Sequence, residues 1–165
     1  MSPSRQHERV RILTSLDDSS EQPRPNRSQG KFMTMQELQC FASEERMIPS
    51  APIEDSQTIT ISAPIDRVWR IQTDVDHWAN WYAYLRNAKL VGPFGPGAKL
   101  SYGGFPKHNL VIAKVDNLRL VMIYGTYRGF SAVTRWDFNP LSQTQTQVTF
   151  SESSVGFSAF CPIQQ

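Results

Sequence analysis

The chain has 165 residues, 39 % of them hydrophobic and 19 % charged, with 17 basic against 15 acidic side chains and a net charge of +2. This length fits one domain; the charge is too mild for nucleic-acid recognition, and no apolar run approaches the roughly 18 residues of a membrane span. Two cysteines, Cys40 and Cys161, lack metal-site spacing and cannot staple a small secreted fold, so they are read as free thiols in a reducing, cytoplasmic compartment.

The low apolar share has an address. Residues 1–31 are dominated by Ser, Arg, Gln, Pro and Asn, with one short apolar patch at Val10, Ile12, Leu13 and Leu16. Such a segment buries too little surface to offset its ordering entropy, so residues 1–33 are expected to be a disordered arm. Glu8, Asp17, Asp18 and Glu21 count against a transit peptide; a start of translation at Met33 or Met35 is the plainer expectation. Residues 34–54 read as a short helix and a Pro-containing connector. Thr34 and Glu37 have the spacing of a capping box. Leu38, Phe41 and Ala42 make one apolar face, and Pro49 and Pro52 end the helix. The domain itself is expected over residues 55–165.

From Gln57 the period changes to two, with Ile59 and Ile61 alternating with Thr58, Thr60 and Ser62, a strand. Pro64 then opens a helix carrying Ile65, Val68, Trp69 and Ile71, and Trp78, Trp81, Tyr82 and Leu85 space like a second short helix. Lys89 to Val91 reads as a strand, Gly92 to Gly97 as a rigid turn, and 98–103, 108–115, 119–126, 130–138 and 144–151 as five further strands. Their separators include Asp116-Asn117 and Asn139-Pro140-Leu141-Ser142. Short connections between consecutive strands imply an antiparallel meander, and helices segregated from it imply an α+β fold. Leu110 and Ile112, Leu120 and Met122, Trp136 and Phe138, and Val148 and Phe150 are expected to build one covered sheet face, able to enclose an apolar ligand cavity.

Residues 58–81, TITISAPIDRVWRIQTDVDHWANW, resemble the opening of the polyketide cyclase/dehydrase and lipid-transport family of the SRPBCC, or START-like, superfamily. The resemblance lies in Ala63-Pro64, Asp66-Arg67-Val68-Trp69, Asp74 and Trp78-Ala79-Asn80-Trp81. It continues in order through Pro96-Gly97, through Trp136-Asp137-Phe138-Asn139-Pro140, and through Glu152-Ser153 followed by Gly156. It implies a helix-grip fold, in which a seven-stranded antiparallel curved sheet wraps a long C-terminal helix and the cavity between them takes an apolar molecule. After Gly156 only nine residues follow, interrupted by Pro162, so the long C-terminal helix is expected to be truncated. The apolar face left open would then be covered by a homodimer or by the 34–46 helix, or would aggregate.

Among candidate groups, no Ser-His-Asp set, phosphate loop or metal motif occurs, and no cofactor is expected. His7 lies in the arm, His77 in a loop and His108 at a strand start. Thr134 stands where several relatives of the resembled family carry a His, which weakens any acid/base role carried over. Glu152 shares parity with Val148 and Phe150. It is either a desolvated carboxylate on the concave face, the one weak catalytic candidate, or a strand-end group that reaches solvent or pairs with Arg135. Tyr102, Tyr124 and Trp136 are read as presenting hydroxyl or indole donors inward or as plain aromatic core. Trp69 is expected to anchor its helix to the sheet, Trp78 and Trp81 to close the cavity mouth, and Asp74 to cap or hold its loop. The ligand-binding set is thus Trp78, Trp81, Tyr102, Tyr124, Thr134, Trp136 and Glu152. The absence of an acid/base cluster favours binding of a small apolar or amphipathic ligand over catalysis. The alternatives are a cyclase/dehydratase-type enzyme, an Hsp90-activator-like interaction domain, and an inactive truncated copy.

Overall fold

In the computed structural model, residues 32–81, 85–103, 108–127 and 129–156 are described. Helix α1 (Met35–Ser43) begins at the capping box read from the sequence. The Glu37 amide donates to Thr34 Oγ1 at 3.2 Å and the Thr34 amide to Glu37 Oε2 at 2.8 Å, so two otherwise orphaned amides are satisfied reciprocally. It ends in a Schellman motif. The Arg46 amide donates to Phe41 O and the Glu45 amide to Ala42 O, which places Glu45 in the left-handed region at φ 58°.

Strand β1 (Ile53–Ile61) follows, then helix α2 (Ile65–Thr73) behind Pro64. The second helix, expected through Trp78, Trp81, Tyr82 and Leu85, is met only at its start: a 3-10 helix spans Val75–Asn80 with Trp81 as its C-cap, and Tyr82 lies outside the described residues. Six further strands follow among the described residues: β2 (Lys89–Val91), β3 (Lys99–Tyr102), β4 (His108–Asp116), β5 (Leu120–Tyr127), β6 (Phe130–Ser142) and β7 (Gln145–Gly156). They form one antiparallel sheet in the order β1-β7-β6-β5-β4-β3-β2.

The segment Asn139-Pro140-Leu141-Ser142, expected as a turn, instead extends β6 to a tight hairpin with β7. Pairing of β5 with β6 stops at Leu120 and Asp137, so the extension has a strand on one side only. Phe138 donates its amide to Arg119 O on the β5 side at 2.8 Å. By strand alternation Pro140 turns its missing donor to that same side, where no ladder is lost.

The expected single covered face is corrected: the described sheet is apolar on both sides. One side packs Ile112, Val121, Ile123, Phe138 and Val148 against Val68 of α2 and Trp78 of the 3-10 helix. The other packs Leu120, Met122, Tyr124, Val133 and Val155 against Leu38 and Ala42 of α1 and Ile48 of the connector. Leu120 and Met122 therefore do not share a face with Ile112. Between them runs β5, whose residues Leu120–Gly125 are buried throughout, as a strand covered on both faces must be.

Helix α1 accordingly covers the side opposite α2. It is held there by Ser131 Oγ donating to Met33 O at 3.1 Å, the Ile48 amide donating to Ser153 Oγ at 2.8 Å, and Arg135 Nη1 donating to Glu45 O at 3.0 Å. The expected C-terminal truncation concerns residues outside the described ones, as does Cys161; Cys40 is an exposed free thiol.

Candidate ligand site

Strand alternation and register decide which predicted residues meet. On the α2 side, cross-strand pairs run Asp55–Glu152–Thr134–Ile123 through β1, β7, β6 and β5. The neighbouring row runs Gln57–Phe150–Trp136–Val121, about 7 Å away because same-face residues are two apart along each strand. Trp136 and Phe150 pack with ring centroids 4.8 Å apart at 60°. Thr134, Trp136 and Glu152 are thus brought together, as their shared parity implied.

Glu152 is half-buried. Its pKa is raised above the ordinary 4.5, first by desolvation and then by the Asp55 carboxylate facing it across the β1–β7 ladder, while the hydrogen bond from Thr134 works the other way. Arg135 does not neutralise it. That guanidinium lies on the opposite side of β6, paired with Asp137 through Nε and Nη2 at 2.6 and 2.7 Å. Asp55 and Phe150 complete the arrangement. Asp55 has the parity of Ile59 and Ile61, a signal present in the sequence but masked by its exposure on an edge strand.

The remaining candidates go elsewhere. Trp78 is only 3 % exposed and is a core residue rather than a mouth residue. Its Nε1 donates to Gln72 O at 3.0 Å, which ties the 3-10 helix to the end of α2. Trp81 is exposed and meets Trp78 edge to face at 6.4 Å. Tyr102 lies on the same side, 6.4 Å from Trp78 and stacked on His108 at 4.6 Å, and His108 in turn stacks on Tyr127. This aromatic row at the β3–β4–β5 end has no local signature in the sequence, where His108 stands simply at a strand start. Tyr124 is a correction. It sits on the α1 side, buried with Met122 and Val133, and desolvation there pushes its phenol pKa up. Residue type groups it with Tyr102, but strand alternation from Ile123 assigns it to the other face. Asp74 holds its loop by an ion pair with His77 Nδ1 at 2.8 Å, which raises the exposed imidazole's pKa. A solvent-open cleft of about 390 Å³ lies between Met35 and strands β2–β4; none of the predicted ligand residues lines it. Among the described residues no cluster of His, Cys, Asp or Glu has metal-binding geometry, and no helix is long and apolar enough to cross a membrane.

A seven-stranded antiparallel curved sheet with a few short helical segments between its first two strands is the architecture of START-like, helix-grip proteins. The chain belongs to the polyketide cyclase / dehydrase and lipid transport family, whose model matches residues 53–159. Members of this family commonly bind hydrophobic ligands. Among solved structures, it is similar to a START superfamily protein from Mycobacterium smegmatis (12 % identity, 68 % of this chain and 81 % of that one, TM-score 0.55). It is also similar to norcoclaurine synthase from Thalictrum flavum in complex with dopamine and hydroxybenzaldehyde (15 % identity, 63 % and 69 %, TM-score 0.51), and to a hypothetical protein from Helicobacter pylori (13 % identity, 68 % and 76 %, TM-score 0.56). These likenesses concern the fold alone. No curated protein matches the chain.

Proposed function

We propose that the α2 side of the sheet binds one small apolar or amphipathic molecule without covalent chemistry. The observation that carries this reading is the half-buried Glu152, held by Thr134 beside the Trp136–Phe150 pair. An apolar wall with a few placed polar groups is the usual composition of a small-molecule site. A carboxylate kept on such a wall without a cation beside it among the described residues costs stability, which a purely structural sheet would avoid. Native mass spectrometry of the purified protein is expected to show a co-purifying small molecule, and Trp fluorescence is expected to change when a neutral dye such as Nile red is added. A protein that is empty and takes up no apolar probe would overturn the reading.

A second reading, a cyclase/dehydratase-type enzyme, draws on the same residue. A carboxyl whose pKa is raised by desolvation and which is hydrogen-bonded to a hydroxyl can act as a general acid or base. It requires that Glu152→Gln abolish a measurable turnover while leaving probe binding in place.

A further inference from the structure

We propose that the molecule bound on the α2 side carries a cationic amine on its apolar body, with the ammonium seated between Glu152 and Asp55. This inference rests on the ligand site proposed above and specifies the charge of its occupant. The argument is one of sidedness. The strand cations Lys89, Lys99, Lys114 and Arg135 all have the parity of the α1 side: Lys89 pairs with Ser101, Lys99 with Val111, and Lys114 and Arg135 each with Met122. Two of them are already engaged there, Lys114 with Glu45 and Arg135 with Asp137.

The α2 side of the described strands carries two carboxylates in direct cross-strand register, Asp55 and Glu152, and no lysine or arginine. Among the described residues, the polar contacts these two receive come from uncharged donors, the Thr134 hydroxyl to Glu152 and the Gln57 amide to Asp55 at 3.4 Å. Like charges directly opposite one another on a ladder repel, so the pair favours an incoming cation and disfavours an anionic headgroup. The acidic pair does not make the site, which is the apolar face with its aromatic row. It fixes the sign of what that face accepts, and the Trp136 ring in the adjacent row is a suitable neighbour for an ammonium.

The test is displacement of Nile red by decylamine, decanol and decanoate, three chains of equal length that differ in headgroup charge. Decylamine is expected to displace the dye at a concentration at least about tenfold lower than decanoate, with decanol between them, the scale of one partly screened charge contact. Asp55→Asn, at an exposed position, should shrink that spread, and Asp55→Asn with Glu152→Gln should bring the three chains together. Added salt should narrow the spread in the wild-type protein, a check that needs no variant. Displacement by decanoate at least as good as by decylamine overturns the amine proposal while leaving the apolar site standing. So does an amine preference that survives both substitutions. Failure of Nile red and of all three chains to bind overturns the site and the proposal together.

Discussion

Glu152 shows how one side chain can carry opposite consequences for binding and for stability. Its folded-state pKa lies above the ordinary 4.5, first because burial disfavours its charge and second because Asp55 faces it. Below the ordinary value the carboxyl is protonated in both folded and unfolded chains and costs nothing by this route. As pH rises through the raised folded value, the folded state must hold a charge that the unfolded chain solvates more easily, and the stability present at low pH is lost. Glu152→Gln removes that ionisation while keeping a partner for Thr134. Thermal melts across pH are expected to show the variant gaining on the wild type as pH rises above the ordinary range, with little difference at low pH. A variant less stable than wild type at pH 8 would show that the carboxylate is compensated by a cation. The sequence carried Glu152, Thr134 and Trp136 legibly because alternation alone assigns them a common face. Asp55 was harder to see because its role depends on the β1–β7 register, which joins residues about a hundred positions apart and leaves no local trace.

At the scale of an element, α1 was legible because its determinants are local. The capping box lies within four residues, and the buried positions Leu38 and Ala42 have helical spacing. What the sequence could not supply was the side of the sheet it covers, since both faces of β5 are apolar and either accepts a helix. The structure resolves this through Glu45, two residues beyond the end of the helix. Glu45 takes the left-handed conformation usually given to glycine, at a cost of about 1 kcal/mol. Its carboxylate, 26 % exposed, receives Arg119 at 2.8 Å and Lys114 at 2.7 Å. Arg119 first and Lys114 second hold its pKa down to about 2. A depressed carboxylate contributes stability that is present above the ordinary 4.5 and is lost as pH falls towards 2. Glu45→Gln is therefore expected to lower the melting temperature at pH 7, by a margin that shrinks as pH falls through that window and as salt is added. Glu45→Gly, which also loses the ion pairs but relieves the backbone, should melt above Glu45→Ala. Equal melting of the glycine and alanine variants would mean that the left-handed conformation carries no cost here.

For the whole molecule, the two faces of the sheet have different histories in the sequence. The family model begins at residue 53, so α1 and its connector lie outside it. Yet Leu38, Ala42 and Ile48 are 0–4 % exposed against Leu120, Met122, Tyr124, Val133 and Val155. The segment thus completes a core that the matched region alone would leave open to water. It is also anchored by polar contacts to β6 and β7 through Ser131, Arg135 and Ser153. If this second core is part of the cooperative unit, truncating one of its central side chains must cost as much as any core substitution. Leu38→Ala should then lower global stability by about 2–5 kcal/mol in a denaturant melt. The loss should appear in a single transition followed equally by Trp fluorescence, which reports mainly the α2 side where Trp69, Trp78 and Trp136 pack, and by far-UV circular dichroism. A chain beginning at residue 53 should bind more apolar dye than the full chain, because the uncovered face adds a second apolar surface on the side away from Glu152. A Leu38→Ala protein whose Trp transition is unchanged would show instead that α1 rides on a domain already stable without it.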